Sequence, residues 1–208
     1  PALVIAEAKD DFTRGLAAIT KLTDGTTYVC RKAGSDVPGD GIERVEVAEF
    51  DGPHPAGLAG THIHFLHPPT AETTVWTIRY QDVIAIGHML ETGRNDADRM
   101  VALSGPRAAK PRVLRVPAGA SMLQMIENEV DGEAPLRVIS GSILSGRMGH
   151  GPDAYVGRYA RQVTLIEEDK EQIPMGWIRP MRTKYAVQPV LGSALAKKLY
   201  GLTSNLNG

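Results

Sequence analysis

Four of the six histidines fall in one run, Asp51-Gly-Pro-His-Pro-Ala-Gly-Leu-Ala-Gly-Thr-His-Ile-His-Phe-Leu-His67, at positions 54, 62, 64 and 67. Imidazole titrates near neutrality and ligates metals, so such a cluster invites a metal or proton-transfer reading. On a strand, His62 and His64 are two residues apart and would project from one face, ready for joint ligation. Two nitrogens do not make a site. A catalytic zinc takes three protein ligands with outer partners to orient them, so His54 or His67 would have to fold back. No HExxH is present, and one cysteine excludes a CxxC. The competing reading is a glycine-rich turn packed by neutral imidazoles that hydrogen-bond the backbone. The expectation is therefore no metal, with a His-cluster metallohydrolase kept as an alternative.

Other chemistries find less support. A dinucleotide site needs glycines directly after a strand, opening a helix, so that backbone N–H groups meet the pyrophosphate. The corresponding turn here, Ala6-Glu-Ala-Lys-Asp10, has no glycine, and neither GxGxxG nor GxxxxGK[ST] occurs. Gly141-Ser-Ile-Leu-Ser-Gly146 and Gly149-His-Gly151 read as turns. No GxSxG elbow appears. Cys30 sits in a strand pattern and reads as a buried, inert thiol. Glu167 and Glu168 lie in the charge run Glu-Glu-Asp-Lys-Glu, read as a solvated turn. No catalytic constellation emerges, and no NAD, FAD or FMN is expected on this chain.

The elements that must position the run follow from periodicity. Leu3-Val-Ile5 predicts a buried strand. Asp10 or Asp11 would cap a helix with Phe12, Leu16 and Ile19 on one face, stopped at Asp24-Gly25. Thr27 to Cys30 predicts a strand, completing a βαβ unit, and Val45 and Val47 mark another. The first 97 residues therefore predict a partial Rossmann-like open α/β sheet. Pro68-Pro69 forbids helix after the histidines. Val75 to Arg79 predicts a strand. Gln81 to Glu91 predicts a helix with Val83, Ile86 and Leu90 on one face, ended by Gly93.

Beyond Arg94-Asn-Asp-Ala-Asp98 the order changes. Strands at Arg99–Leu103 and Val113–Val116 precede a helix, Ser121 to Glu129, capped by Ser121. A strand at Leu136–Ile139 follows. That order predicts a β-grasp (ubiquitin-like) domain over 98–180, with a further strand at Gln162–Ile166. Residues 181–208 read as a tail leading to a further C-terminal domain. The start at Pro1 and the unclosed end predict an excised piece of a longer protein.

The net charge of −1, with 42% hydrophobic residues, provides no basic face for nucleic acid. No apolar stretch reaches the roughly 20 residues of a membrane span, and no signal peptide opens the chain. One cysteine permits no internal disulfide and suits a reducing compartment.

The run Phe50 to Leu66 closely resembles a signature stretch of the A subunit of the bacterial sodium-translocating NADH:quinone reductases. The likeness continues in Tyr80–Gly87, Val101–Pro106, Val138–Gly146 and Gly151–Tyr159, so it spans nearly the whole chain. A more distant likeness runs to the flavin-binding subunit of respiratory complex I. The resemblance implies an internal fragment of a longer polypeptide, flanked by a small β domain and a helical cysteine-bearing domain. It implies a six-subunit membrane complex that couples electron transfer from NADH to ubiquinone with sodium export, using flavins and iron–sulfur centres. The chain would lie peripherally on the cytoplasmic face of the bacterial inner membrane, with the other subunits and ubiquinone as its contacts.

Distant relatives carry a Tyr-Pro-Gln-Gly type motif where this chain has Gly52-Pro-His-Pro-Ala-Gly57. That departure implies loss of their cofactor contact. The chain is accordingly expected to have no cofactor or redox centre of its own. Gly57 and Gly60 would permit close backbone approach, and His62 and His64 would donate to a partner or a quinone carbonyl. A stand-alone ligand-binding β-grasp module is the second alternative.

Overall fold

Where Leu3-Val-Ile5 predicts a strand, the chain opens with two helices, α1 (Ala2–Glu7) and α2 (Lys9–Ile19). Val4 and Ile5 favour strand, but Ala2, Leu3, Ala6 and Glu7 around them are good helix formers. The helix turns Ile5 into the same core as Phe12 and Leu16. With no strand before α2, the anticipated βαβ unit does not form among the described residues. The N-cap of α2 is Ala8, with no side-chain cap bond. Asp10 and Asp11 instead occupy the first turn, where carboxylates complement the helix dipole.

This arrangement comes from a computed structural model that describes residues 1–171, 174, 190 and 202–204. The chain divides into two units, Pro1–Ala97 and Asp98–Gly208.

In the first unit, β1 (Thr27–Lys32) and β2 (Val45–Phe50) pair in parallel from Thr27↔Val45 to Lys32↔Phe50. Parallel neighbours usually need a helical crossover. Here residues 33–44 make the return as an irregular loop pressed onto the strands. Val37 is buried in the core, and a Cβ on Gly39 would lie 2.9 Å from Val47 Cγ2. Helix α3 (Ala59–Leu66) carries His62 and His64 of the histidine run and stops before Pro68-Pro69. Residues 75–79 have no strand partner, so the strand predicted there is absent.

Helix α4 (Tyr80–Thr92) ends at Gly93, which takes a left-handed conformation (φ 69°) and donates its N–H to Met89 O. It crosses α2 at two glycines. A Cβ on Gly15 would lie 2.0 Å from Val83 O, and one on Gly87 would lie 1.8 Å from Asp11 O. That contact turns Val83 and Gly87 inward and leaves Leu90, predicted on the buried face, 56% exposed.

The second unit is a five-stranded mixed sheet in the order β4-β3-β7-β5-β6. Its strands are β3 (Asp98–Ser104), β4 (Arg112–Pro117), β5 (Leu136–Ser140), β6 (Arg147–Met148) and β7 (Gln162–Glu167). Among the described strands of this sheet, only β3 and β7 pair in parallel, with Ala102 opposite Gln162. Val101, Leu103, Met122, Val163 and Leu165 are its most buried core side chains.

Helix α5 (Met122–Met125) is a single turn, much shorter than the predicted Ser121–Glu129. Ser121 does cap it, accepting from the Gln124 N–H at 3.5 Å. Asn128 is left-handed (φ 61°), which stops the helix and lets Val130 bridge to Ala108. Arg107 is buried and donates from Nε to the Asp131 carbonyl, tying this loop to the end of β3.

Past β7, Thr203 bridges in parallel to Glu167, and Ser204 donates its N–H to Glu167 O at 2.9 Å. The predicted solvated turn at Glu167-Glu168 is thus a structured strand end. Glu168 accepts two hydrogen bonds from Arg137, at 2.5 and 2.8 Å. Of the tail predicted over 181–208, only residues 190 and 202–204 lie within the described set.

Candidate functional site at the histidine run

Leu58 is extended and serves as the N-cap of α3. Below it a tight turn is tied by Thr61, whose hydroxyl donates to Pro55 O at 3.0 Å. The His54–Pro55 peptide is cis. Because this stretch is helical, His62 and His64 do not share a face as they would on a strand. Two positions on a helix are about 200° apart.

His62 turns inward. Its ring lies 4.2 Å, centroid to centroid, from that of Phe50 at the end of β2. Its Nε2 is 2.9 Å from Ala56 O. A carbonyl only accepts, so that nitrogen carries the proton and donates. His64 points outward and meets the Phe65 ring edge-on at 5.2 Å. His54 and His67 are exposed. The joint ligation imagined for His62 and His64 is thereby overturned. No group of three or more metal-binding side chains exists among the described residues.

Gly57 and Gly60 both have open space where a Cβ would stand. Neither has a positive φ. No residue of α3 is buried, and Phe65 is 71% exposed. Within the run, α3 is thus a helix with no buried residue, and the Nε2 of its inward His62 is already bonded to Ala56 O.

The glycine-rich turns are occupied by their own backbone. Gly141 N–H donates to Gln162 O at 2.8 Å, and Gly146 N–H to Ser142 O at 2.7 Å. Ser145 N–H donates to Ser142 Oγ at 3.2 Å. These donors face inward bonds, whereas a phosphate cradle presents them to the ligand. Cys30 is half-buried in β1, and burial pushes its thiol pKa up, away from the reactive thiolate.

Sequence reasoning missed a polar cluster across the α2–α4 crossing. Arg14 Nη1 lies 2.7 Å from Asp11 Oδ1, and Nη2 lies 3.1 Å from Glu91. His88 Nδ1 lies 3.3 Å from Asp11 Oδ2. The i, i+3 spacings Asp11/Arg14 and His88/Glu91 were visible, but their apposition needs the glycine crossing.

A mixed α/β chain in two units, with a histidine-bearing surface helix in the first, matches two family models in succession. Residues 1–95 match "NqrA second alpha/beta domain", and residues 100–150 match "NQRA C-terminal domain". The chain is also 46% identical, over its whole length, to the A subunit of the Na(+)-translocating NADH-quinone reductase of Neisseria gonorrhoeae. It is 46% identical to that of Shewanella amazonensis and 44% identical to that of Rhodopirellula baltica, again over its whole length. The chain belongs to the NqrA family, the A subunits of these reductases. It spans 46% of the length of each of these relatives, which are subunits of an enzyme complex.

Proposed function

We propose that this chain is part of the NqrA subunit of a sodium-translocating NADH:ubiquinone oxidoreductase. It serves there as a docking and surface-shaping element with no redox centre of its own. The observation that carries this reading is identity of 46% to a named member of that family across the full chain. In this reading the first unit is a partial Rossmann-like domain and the second, over 98–180, a β-grasp domain. Residues 181–208 lead to a further domain. The parallel β1–β2 pair supports the former, and the order β3, β4, α5, β5 supports the latter.

The complex holds the flavins and iron–sulfur centres in its other subunits, six in all counting this one, and NqrA lies on the cytoplasmic face of the inner membrane. No described helix is long and apolar enough to cross a membrane. Attachment would then depend on contacts with other subunits. Gly57, Gly60, His62 and His64 form the surface that faces a partner or the quinone. Of the two histidines, His64 is the one presented outward, and His62 shapes the turn beneath it.

The test is purification of the full-length tagged protein from its native membranes. Retrieval of the other subunits together with NADH:quinone reductase activity is expected. An absorbance band in the flavin region, or stoichiometric iron on the gently released protein, would refute the non-redox role.

A further inference from the structure

Arg107 follows the turn at the end of β3 and is only 8% exposed. Its Nε donates to the Asp131 carbonyl, but its enclosed Nη2 meets no acceptor among the described residues. A guanidinium cannot shed its proton in a protein, so the charge stays. Burying a charge costs stability unless it is both paired and hydrogen-bonded. A water molecule would satisfy the Nη2 N–H but leave the charge uncompensated.

The carboxylates on the flanking segments are engaged elsewhere. Glu129 accepts from Arg112 with both oxygens, at 2.6 and 2.8 Å. Glu168 does the same for Arg137. Asp131 offers Arg107 its backbone carbonyl, and no ion pair joins a carboxylate to Arg107 among the described residues. A glycine lies against the guanidinium: a Cβ on Gly132 would stand 3.5 Å from Nη2 and 3.7 Å from Cζ. Gly132 belongs to residues 131–135, all of them exposed. On this side the charge lies one glycine deep beneath a surface loop.

We infer that Arg107, beneath the Gly132 loop, binds the carboxylate of a small molecule. A shift of the loop opens Nη2, and the bond then formed, N⁺–H to O⁻, is of the strong charge-assisted kind. An acidic side chain of another protein fits less well, because Nη2 offers no exposed surface for a folded partner to dock on. Phosphate is also the weaker fit, since its second charge would face Asp131 and Glu133 on the same loop. This inference does not depend on the assignment to the reductase complex.

The test is thermal unfolding of the full-length protein as wild type, Arg107→Met and Gly132→Asp. Sodium acetate, the probe, replaces sodium chloride at constant ionic strength, with inorganic phosphate in a parallel series. The wild-type melting temperature should rise saturably with acetate, by about 2 °C or more. Arg107→Met should melt at the same temperature in acetate and chloride. Should that variant fail to fold, Gly132→Asp decides. Gly132 is left-handed (φ 73°), a conformation aspartate tolerates, and the new carboxylate would stand beside Nη2. Gly132→Asp should melt above wild type in chloride and no longer respond to acetate. A wild type indifferent to acetate overturns the inference. So does a response to phosphate without one to acetate. An acetate response that survives in Arg107→Met or Gly132→Asp overturns it too, because the anion then acts elsewhere on the molecule.

Discussion

Gly87 of α4 and Asp11 of α2 meet backbone to backbone: a methyl group on Gly87 would come within 1.8 Å of the Asp11 carbonyl oxygen. Gly15 makes the reciprocal approach to Val83. The crossing brings Asp11 beside His88, and Arg14 beside Glu91.

Gly87→Ala and Gly15→Ala should therefore each destabilise the first unit. Overpacking costs about 1–3 kcal/mol, and the obstacle here is backbone, which yields least. Thermal unfolding should show a clear drop for both. Gly25→Ala, with open space around it, should leave the transition in place.

Leu165 is fully buried at the centre of the second unit's sheet. Leu165→Ala should cost about 2–5 kcal/mol, read from denaturant titration. A loss below about 1 kcal/mol would mean that the core is not packed as described.

His62 and His64 should separate cleanly by stability. His62→Ala removes the ring contact with Phe50 and the bond to Ala56 O, a loss of about 1–2 kcal/mol. His64→Ala should leave the melting temperature unchanged. If that side chain serves the surface proposed above, the variant instead lowers assembly or quinone reductase activity.

The Arg137 guanidinium, bonded to both oxygens of Glu168, holds that carboxyl below its ordinary value. A depressed folded-state value contributes stability above the unfolded value of about 4.3 and loses it as pH falls through the folded value. Glu168→Gln should thus flatten the acid limb of the stability–pH curve below about pH 4. An unchanged acid limb would show the pair to be too solvent-screened to matter.

Cys30, with its thiol pushed up by burial, should react slowly with iodoacetamide at neutral pH. Mass spectrometry after timed labelling should show a rate well below that of free cysteine, rising only on unfolding.

Much of the fold could be read from the chain. The strands at Thr27, Val45, Arg99, Val113, Leu136 and Gln162 lie where short apolar runs predict them, Val45 and Val47 alternating with Glu46 and Ala48, and Gly93 marks the end of α4. What escaped depended on tertiary context. Val4-Ile5 looks like a strand until Ile5 is seen docking with Phe12 and Leu16. The predicted helix over Ser121–Glu129 is cut short by Asn128, whose left-handed backbone no periodicity reveals. At the histidine run, the interleaved glycines and prolines hid a helix. A strand there would place His62 and His64 on one face, whereas the helix separates them and turns His62 toward Phe50. The cluster of Asp11, Arg14, His88 and Glu91 needed the glycine crossing to be known first.

The pairing of β3 with β7 also orders events during synthesis. β3 leaves the ribosome early, yet one of its two neighbours, β7, is among the last strands of the unit to be made. Until Gln162 emerges, β3 has β4 on one side and an open edge on the other, and β5 waits for the same strand. Such distant pairing is slow to form, because the intervening chain must be gathered first. The nascent second unit is thus a pair of unfinished half-sheets, exposed to aggregation until β7 slides between them.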